Sequence, residues 1–259
     1  MSPLHPHPAL EVYERMMERS SGEDGFVIES VMVIERALQS RWPVESIVGT
    51  PHRMEQLAPL IPSTTERFIM SQSELNALVG FSLHRGCAAH VRVPEALCDG
   101  TLPAKAATAK TIVVAERIAD PANIGALLRN CRAFGVDLVI LDPKGGSPFC
   151  RKAARTSAGH LFTQHLCVVD PLSALQTLRE VHGERLQACG ATLGPNAHSL
   201  RDTPPAHPWA LFLGNEGGGL SEELLKKLDW EVTIPMQDDV DSLNVAAASA
   251  VLLYGLTPA

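Results

Sequence analysis

The sequence predicts an α/β protein with a small N-terminal α/β domain, a short linker, and a larger C-terminal domain built on a parallel sheet. Two observations carry this expectation. From residue 111 onward, short apolar runs recur at about 111–115, 136–142, 165–169, 186–192, 209–213 and 230–234, with helical periodicity between most of them. Strands of that kind, buried on both faces and joined by helices, assemble into parallel sheets. Upstream, Pro94 to Lys110 is rich in Ala, Pro and Thr and poor in large hydrophobes, the composition of a linker. The expected domains are therefore 1–93 and 111–259, joined by 94–110. At 259 residues and 45% hydrophobic, the chain can bury a core of that size.

In the N-terminal part, helical periodicity covers Glu29–Ser40, and short apolar strands fall at Val44–Val48 and Arg67–Met70. Ser71, followed by Glu74 three residues on, is a capping-box pattern that starts a helix. Beyond the linker, Thr111-Ile-Val-Val-Ala115 reads as a strand. It leads into Ala119-Asp-Pro-Ala-Asn-Ile-Gly-Ala-Leu-Leu-Arg-Asn-Cys-Arg-Ala-Phe-Gly135, a turn and a helix closed by Gly135 in the position after the cap. Asn123 is expected to open that helix, a position compatible both with a plain N-cap and with an orienting role. The segment Gly194–Pro208, with four prolines, reads as a loop between two strands. Leu211-Phe-Leu-Gly-Asn-Glu-Gly-Gly-Gly-Leu220 is a buried strand delivering a glycine-rich acidic turn, because glycines allow close approach to backbone amides. Trp230-Glu-Val-Thr-Ile-Pro235 is a further strand stopped by proline. Ser242 then stands as the expected N-cap of the helix that contains Val245–Tyr254. In an open parallel sheet, ligands bind beyond the carboxyl ends of the strands, where all three of these turns fall.

Composition narrows the function classes. No run reaches the roughly 18 apolar residues of a membrane span, and the start of the chain lacks a basic-then-apolar signal segment, so a cytoplasmic protein is expected. Six scattered cysteines without a C-x-x-C pair suggest reduced, mostly buried thiols rather than a zinc site or a disulfide framework. Net charge is −7, which taken whole argues against a nucleic-acid partner. Its distribution points the other way. Residues 101–160 hold 9 basic and 4 acidic side chains, net +5, between flanks of net −5 and −7. That block contains Arg129, Arg132, Arg151, Lys152 and Arg155; the plain reading is a solvated helix face, and the functional one is a phosphate contact.

Taken in order, the three turns resemble the signature motifs of the SpoU-type (TrmH-like) RNA ribose methyltransferases of the SPOUT superfamily. The resemblance covers roughly residues 110 to 257. The family's first motif supplies an asparagine and an arginine six residues apart, matched by Asn123 and Arg129. Its second supplies a glutamate in a glycine loop, matched by Glu216, and its third a serine and an asparagine flanking a leucine, matched by Ser242, Leu243 and Asn244. The N-terminal part is similar to the family's ribosomal-protein-like RNA-recruiting domain, with a Gly25-Phe26 start and His84-Arg-Gly86 in place of the usual histidine–glutamine–glycine. Pattern alone draws an unknotted doubly wound sheet. The resemblance implies instead a C-terminal trefoil knot that shapes the cofactor pocket, and a homodimer.

What the resemblance implies chemically is transfer of a methyl group from S-adenosylmethionine to a ribose 2′-hydroxyl, with no metal. Gly214, Asn215, Ile234, Met236 and Leu243 are the expected cofactor contacts, and Arg129, Asn123, Glu216, Ser242 and Asn244 the expected catalytic set. Arg129 is expected to clamp a phosphate and stabilise the developing alkoxide, since a guanidinium is hard to deprotonate. Arg132, Arg151, Lys152 and Arg155 are the expected RNA contacts. Ribosomal RNA is the preferred substrate because the chain ends lack basic extensions. The alternatives are the same reaction on transfer RNA and a non-catalytic RNA-binding protein of the same fold. A dinucleotide-binding oxidoreductase is excluded by the absence of G-x-G-x-x-G after the first strand at residue 111.

Overall fold

The computed structural model describes residues 7–14, 16, 25–94, 101–194, 196–202, 207–237, 240 and 242–257. Its described residues fall into two compact units, one from Met1–Pro94 with Ser147–Thr163, the other from Glu95–Gly146 with Gln164–Ala259.

The first unit runs α1 (Glu11–Glu14), β1 (Phe26–Glu29), α2 (Val31–Leu38), β2 (Val44–Gly49), α3 (Pro51–Leu57), β3 (Glu66–Ile69), α4 (Gln72–Val79) and β4 (Cys87–Val91). Its sheet has the order β1-β4-β2-β3, antiparallel except for the β2–β3 pair. The capping box at Ser71 and Glu74 forms, and Gly80 closes α4 in a left-handed conformation. Tyr13 is wholly buried in the core; its hydroxyl bonds Ser46 and accepts the His90 N–H, so its polar end is satisfied.

The second unit continues with α5 (Leu102–Ala106), β5 (Thr111–Ala115), α6 (Pro121–Ala133) and β6 (Leu138–Leu141). After the excursion of α7 (Arg151–Thr156) into the first unit, it resumes with β7 (Leu166–Val168), α8 (Pro171–His182), β8 (Gln187–Ala191), β9 (His198–Ser199), β10 (Trp209–Leu213), α9 (Glu222–Leu225), β11 (Trp230–Thr233) and α10 (Val245–Leu256). The seven strands are ordered β7-β6-β5-β10-β8-β11-β9, and every pair is parallel. Every residue of β5, β6 and β10 is buried, as the apolar runs require of strands covered on both faces. The register sets Leu213 beside Ala115 and Phe212 beside Gly190, so the carboxyl ends of β5, β10 and β8 meet along one edge.

Three expectations change. The segment 147–163 packs with the first unit instead of continuing a 111–259 block. Phe149 and Phe162 join Phe26 and Trp42 in a ring cluster with centroids 5.2–6.4 Å apart, an apolar contact that no local signal encodes. Within 94–110, residues 95–100 lie outside the described residues, but Leu102 and Ala106 of α5 are buried in the sheet's core. The expected loop Gly194–Pro208 contains β9, a two-residue edge strand whose polar residues gave no apolar pattern. The five described cysteines are buried and unpaired, as expected; Cys98 lies outside the described residues.

Candidate functional site

The turn after β5 is built by capping. Asp120 accepts the Ala122 N–H at 2.9 Å and caps α6, with Pro121 filling the first turn where its missing N–H costs nothing. Asn123 is therefore not the N-cap that the sequence suggested but the third helical residue, which frees its side chain to bridge. Its Nδ2 donates to Glu216 Oε1 at 2.7 Å, and its Oδ1 accepts from Asn244 Nδ2 at 3.0 Å. Farther along α6, Asn130 donates to Ala246 O and Ser249 Oγ at 2.7 and 2.9 Å, fastening this helix to α10.

The glycine loop after β10 folds back on itself through paired bonds between Asn215 and Gly219, at 2.9 and 3.1 Å. A side chain at Gly214 would sit 2.1 Å from the Gly219 carbonyl carbon, so only glycine fits there. Asn215 spends its side chain on the loop, accepting the Gly217 and Gly218 amides and donating to Arg117 O at 2.8 Å. Its part in a binding site is structural, as part of the wall. The Glu216 carboxylate takes the Asn123 bond and, at 3.4 Å, the Ala119 N–H. Partial burial pushes its pKa up, but the Asn123 bond and the amides of Glu216, Ala119 and Asp120 outweigh this and hold it below the usual carboxylate value.

At α10 the cap is Asn244, whose Oδ1 accepts the Ala246 N–H at 2.9 Å; Ser242, the expected cap, stands two residues earlier and exposed. Asn244 wins because one amide can cap with its oxygen and reach Asn123 with its nitrogen. Asn244, Asn123 and Glu216, one from each motif, thus form a single hydrogen-bonded chain.

Beside that chain lies a cavity of about 480 Å³. Gly214, Asn215, Ile234, Met236 and Leu243, all five expected cofactor contacts, line it, and so do Glu216 and Ser242. The rest of the wall is mostly apolar or backbone, including Leu213, Val245 and Leu252. Among the described residues, no cluster of His, Cys, Asp and Glu could hold a metal ion.

The arginines are placed differently. Arg129 does not line the cavity; it is exposed on α6, about 9 Å along the axis from Asn123, and has no hydrogen-bond or ion-pair partner among the described residues. Arg132 is exposed one turn farther on. Arg151, Lys152 and Arg155 belong to the first unit, where Arg151 and Arg155 reach the buried Glu29 carboxylate at 3.3 and 3.7 Å. Arg151 also lies 5.1 Å over the Phe81 ring. The positive block of the sequence is therefore divided between the units, and two of its members carry internal work.

The sequence missed three parts of the site. The end of β8, Ala191 to Gly194, walls the cavity; its strand was legible but its loop had no motif. Asn130, seven residues after Asn123 and so on the same helical face, was a readable signal. Glu116, the polar residue at the mouth of β5, accepts the Ser221 N–H at 2.7 Å.

Comparisons with known proteins agree with this geometry. Residues 110–254 match the SpoU rRNA Methylase family. A Mycobacterium tuberculosis protein named as an uncharacterised tRNA/rRNA methyltransferase is 33% identical over 254 residues, 96% of this chain and 86% of that one. The Bacillus subtilis 23S rRNA guanosine 2′-O-methyltransferase RlmP is 29% identical over 235 residues, 89% of this chain and 88% of that one. Among solved structures, the SpoU methyltransferase AviRb of Streptomyces viridochromogenes, in complex with AdoMet, superposes with a TM-score of 0.80 at 22% identity, covering 97% of both chains. An AdoMet-bound rRNA methyltransferase of Sinorhizobium meliloti gives 0.83 at 20% identity, over 96% of this chain and 94% of that one. The shared fold, the ordered motifs and the extent of the match have one meaning: the chain belongs to the SpoU rRNA methylase family of RNA methyltransferases.

Proposed function

We propose that this protein transfers a methyl group from S-adenosylmethionine to the 2′-hydroxyl of a ribose in ribosomal RNA. The observation that carries the reading is the hydrogen-bonded chain from Asn244 through Asn123 to Glu216, which ties three separate motifs together at the edge of one cavity. The cavity suits the cofactor: Gly214 admits no side chain, and apolar Ile234, Met236 and Leu243 leave backbone groups to meet an adenine. When bound, S-adenosylmethionine supplies the electrophilic methyl group. The chain's own residues do the rest. Asn123, fixed at both ends of its amide, holds the Glu216 anion in place, and Ser242 and Asn244 complete the polar wall. Arg129 stays charged, grips a phosphate next to the target ribose and stabilises the oxygen as it loses its proton. That proton goes to the flanking phosphate. Arg132, Lys152 and the outward-facing Arg155 add phosphate contacts.

Ribosomal RNA is favoured by the name of the Bacillus relative, while the mycobacterial name leaves transfer RNA open. The working form is a homodimer whose C-terminal segment is threaded as a trefoil knot. Tyr254 and Val251 of α10 are exposed, an apolar face beyond what packing within one chain uses, and an Arg129 without a partner among the described residues is suited to a site completed by a second subunit. Purified protein should methylate ribosomal RNA with labelled S-adenosylmethionine, and nucleoside analysis should place the label on ribose. Label on a base, or none in either RNA, would refute the reading; light scattering showing an active monomer would remove the dimer.

A further inference from the structure

Glu116 is a buried carboxylate to which the reaction above gives no task. It follows directly on β5 and is 7% exposed. Its N–H donates to Leu213 O at 2.8 Å, which seats it against the end of β10. Its Oε2 accepts the Ser221 N–H at 2.7 Å, and its other oxygen lies 3.7 Å from the Arg117 guanidinium. Ser221 is where the glycine loop ends. The next residue, Arg117, has a φ of 50°, a left-handed conformation that residues with side chains rarely adopt. Its carbonyl accepts Asn215 Nδ2 at 2.8 Å, and Asn215 is where the loop begins. Two adjacent residues therefore grip both ends of 215–221.

Between those grips Leu220 packs into the core and Glu216 bonds Asn123 and the Ala119 N–H, while the glycines are left bare. A side chain built at Gly218 or Gly219 would meet no heavy atom within 4 Å. Three consecutive glycines have more conformational freedom to lose than any other tripeptide, so the bonds that hold the loop at its exit add to those of Asn215 and Glu216 in setting the shape of this wall. Burying a carboxylate is costly without strong partners, and a carboxylate grips a backbone amide more tightly than a neutral oxygen does.

We propose that Glu116 is a positioning residue that fixes the exit of the glycine loop and so holds the cavity in the shape that accepts S-adenosylmethionine. The proposal rests on the reading of that cavity given above. Two measurements on the purified full chain test it: amide hydrogen exchange by mass spectrometry, and calorimetric titration with S-adenosylmethionine. In Glu116→Ala, amides of 215–221 should exchange at least tenfold faster while β5 and β10 keep their protection. The cofactor Kd should rise tenfold or more. Glu116→Gln keeps an oxygen for the Ser221 N–H and should restore Kd to within threefold. Should the alanine variant not fold, Glu116→Met, similar in length and lacking the acceptor, carries the same expectation. A folded Ala or Met variant with unchanged loop exchange or unchanged Kd overturns the proposal, as does a Gln variant as impaired as these. Absence of binding by the wild type refutes the cavity reading, whereas normal wild-type binding with unaffected variants refutes the role of Glu116 alone.

Discussion

Replacing Asn123 with alanine removes two hydrogen bonds at once and cuts the chain that joins the three motifs. The bond to Glu216, 2.7 Å long, has a charged acceptor; such bonds are worth about 1.5–3 kcal/mol, and the neutral bond from Asn244 about 0.5–1.5 kcal/mol. Glu216 is exposed, so solvent screening brings the first to about 1 kcal/mol. Alanine returns about 0.5 kcal/mol of helix propensity. The net loss is about 1–2 kcal/mol, which for a unit of this size lowers Tm by roughly 2–8 °C.

The pH dependence of that loss is diagnostic. Because Glu216 titrates below its ordinary value in the fold, its stabilisation is complete above the unfolded carboxylate pKa of about 4.3 and is lost as pH falls through the folded value. Removing Asn123 removes part of that contribution. The Tm gap between wild type and Asn123→Ala should therefore be widest near pH 7 and close in part below about pH 4, the remainder being the pH-independent bond to Asn244. Turnover should fall by about a hundredfold, the usual scale for losing an oriented polar group at a reacting centre. Calorimetric melts from pH 7.5 to 3.5 measure the gap. A Tm equal to wild type at neutral pH, or a gap of constant width across the series, would refute the bridge between Asn123 and Glu216.

How much of this was legible in the sequence depended on whether each signal was local. Apolar runs placed six strands of the large sheet to within about two residues at each end, because a strand buried on both faces needs an uninterrupted apolar run. Motif spacing brought Asn123, Glu216 and Asn244 together, and all five expected cofactor contacts line the cavity. Caps were harder. Asp120 and Asn244 won over Asn123 and Ser242 through side-chain reach that only the folded turn defines. What depended on long-range packing was not legible: Phe149 and Phe162 draw 147–163 into the first unit through rings more than a hundred residues away. That return also changed the meaning of the basic block, since Glu29 supplies the partner for Arg151 and Arg155.

Four further substitutions separate chemistry, pocket and charge. Arg129→Ala should lower turnover by about 10²–10³-fold in single-turnover assays at saturating RNA while S-adenosylmethionine affinity stays within about twofold, as expected for a charge used in the transition state and absent from the cavity wall; near-normal turnover would remove Arg129 from the mechanism. Gly214→Ala places a methyl group 2.1 Å from the Gly219 carbonyl carbon, so the loop must shift. A stability loss of about 1–3 kcal/mol and a collapse of cofactor binding should follow, and a variant that binds normally would show that the loop is not the wall. The last pair asks which arginine of α7 meets RNA. Glu29 is 7% exposed, so a partner lost from it leaves a buried charge uncompensated, and the better buried partner matters more. Arg151, 24% exposed in its side chain and stacked on Phe81, is that partner; Arg155, 55% exposed, is not. Arg151→Ala should therefore lower Tm with little effect on the salt dependence of RNA binding. Arg155→Ala should leave Tm nearly unchanged and reduce the slope of log affinity against log salt by about 1, the amount expected for one lost phosphate contact. Thermal melts and binding titrations at several salt concentrations read both, and the reverse assignment, a stable Arg151→Ala with the altered slope, would place the RNA on the Phe81 side of the helix.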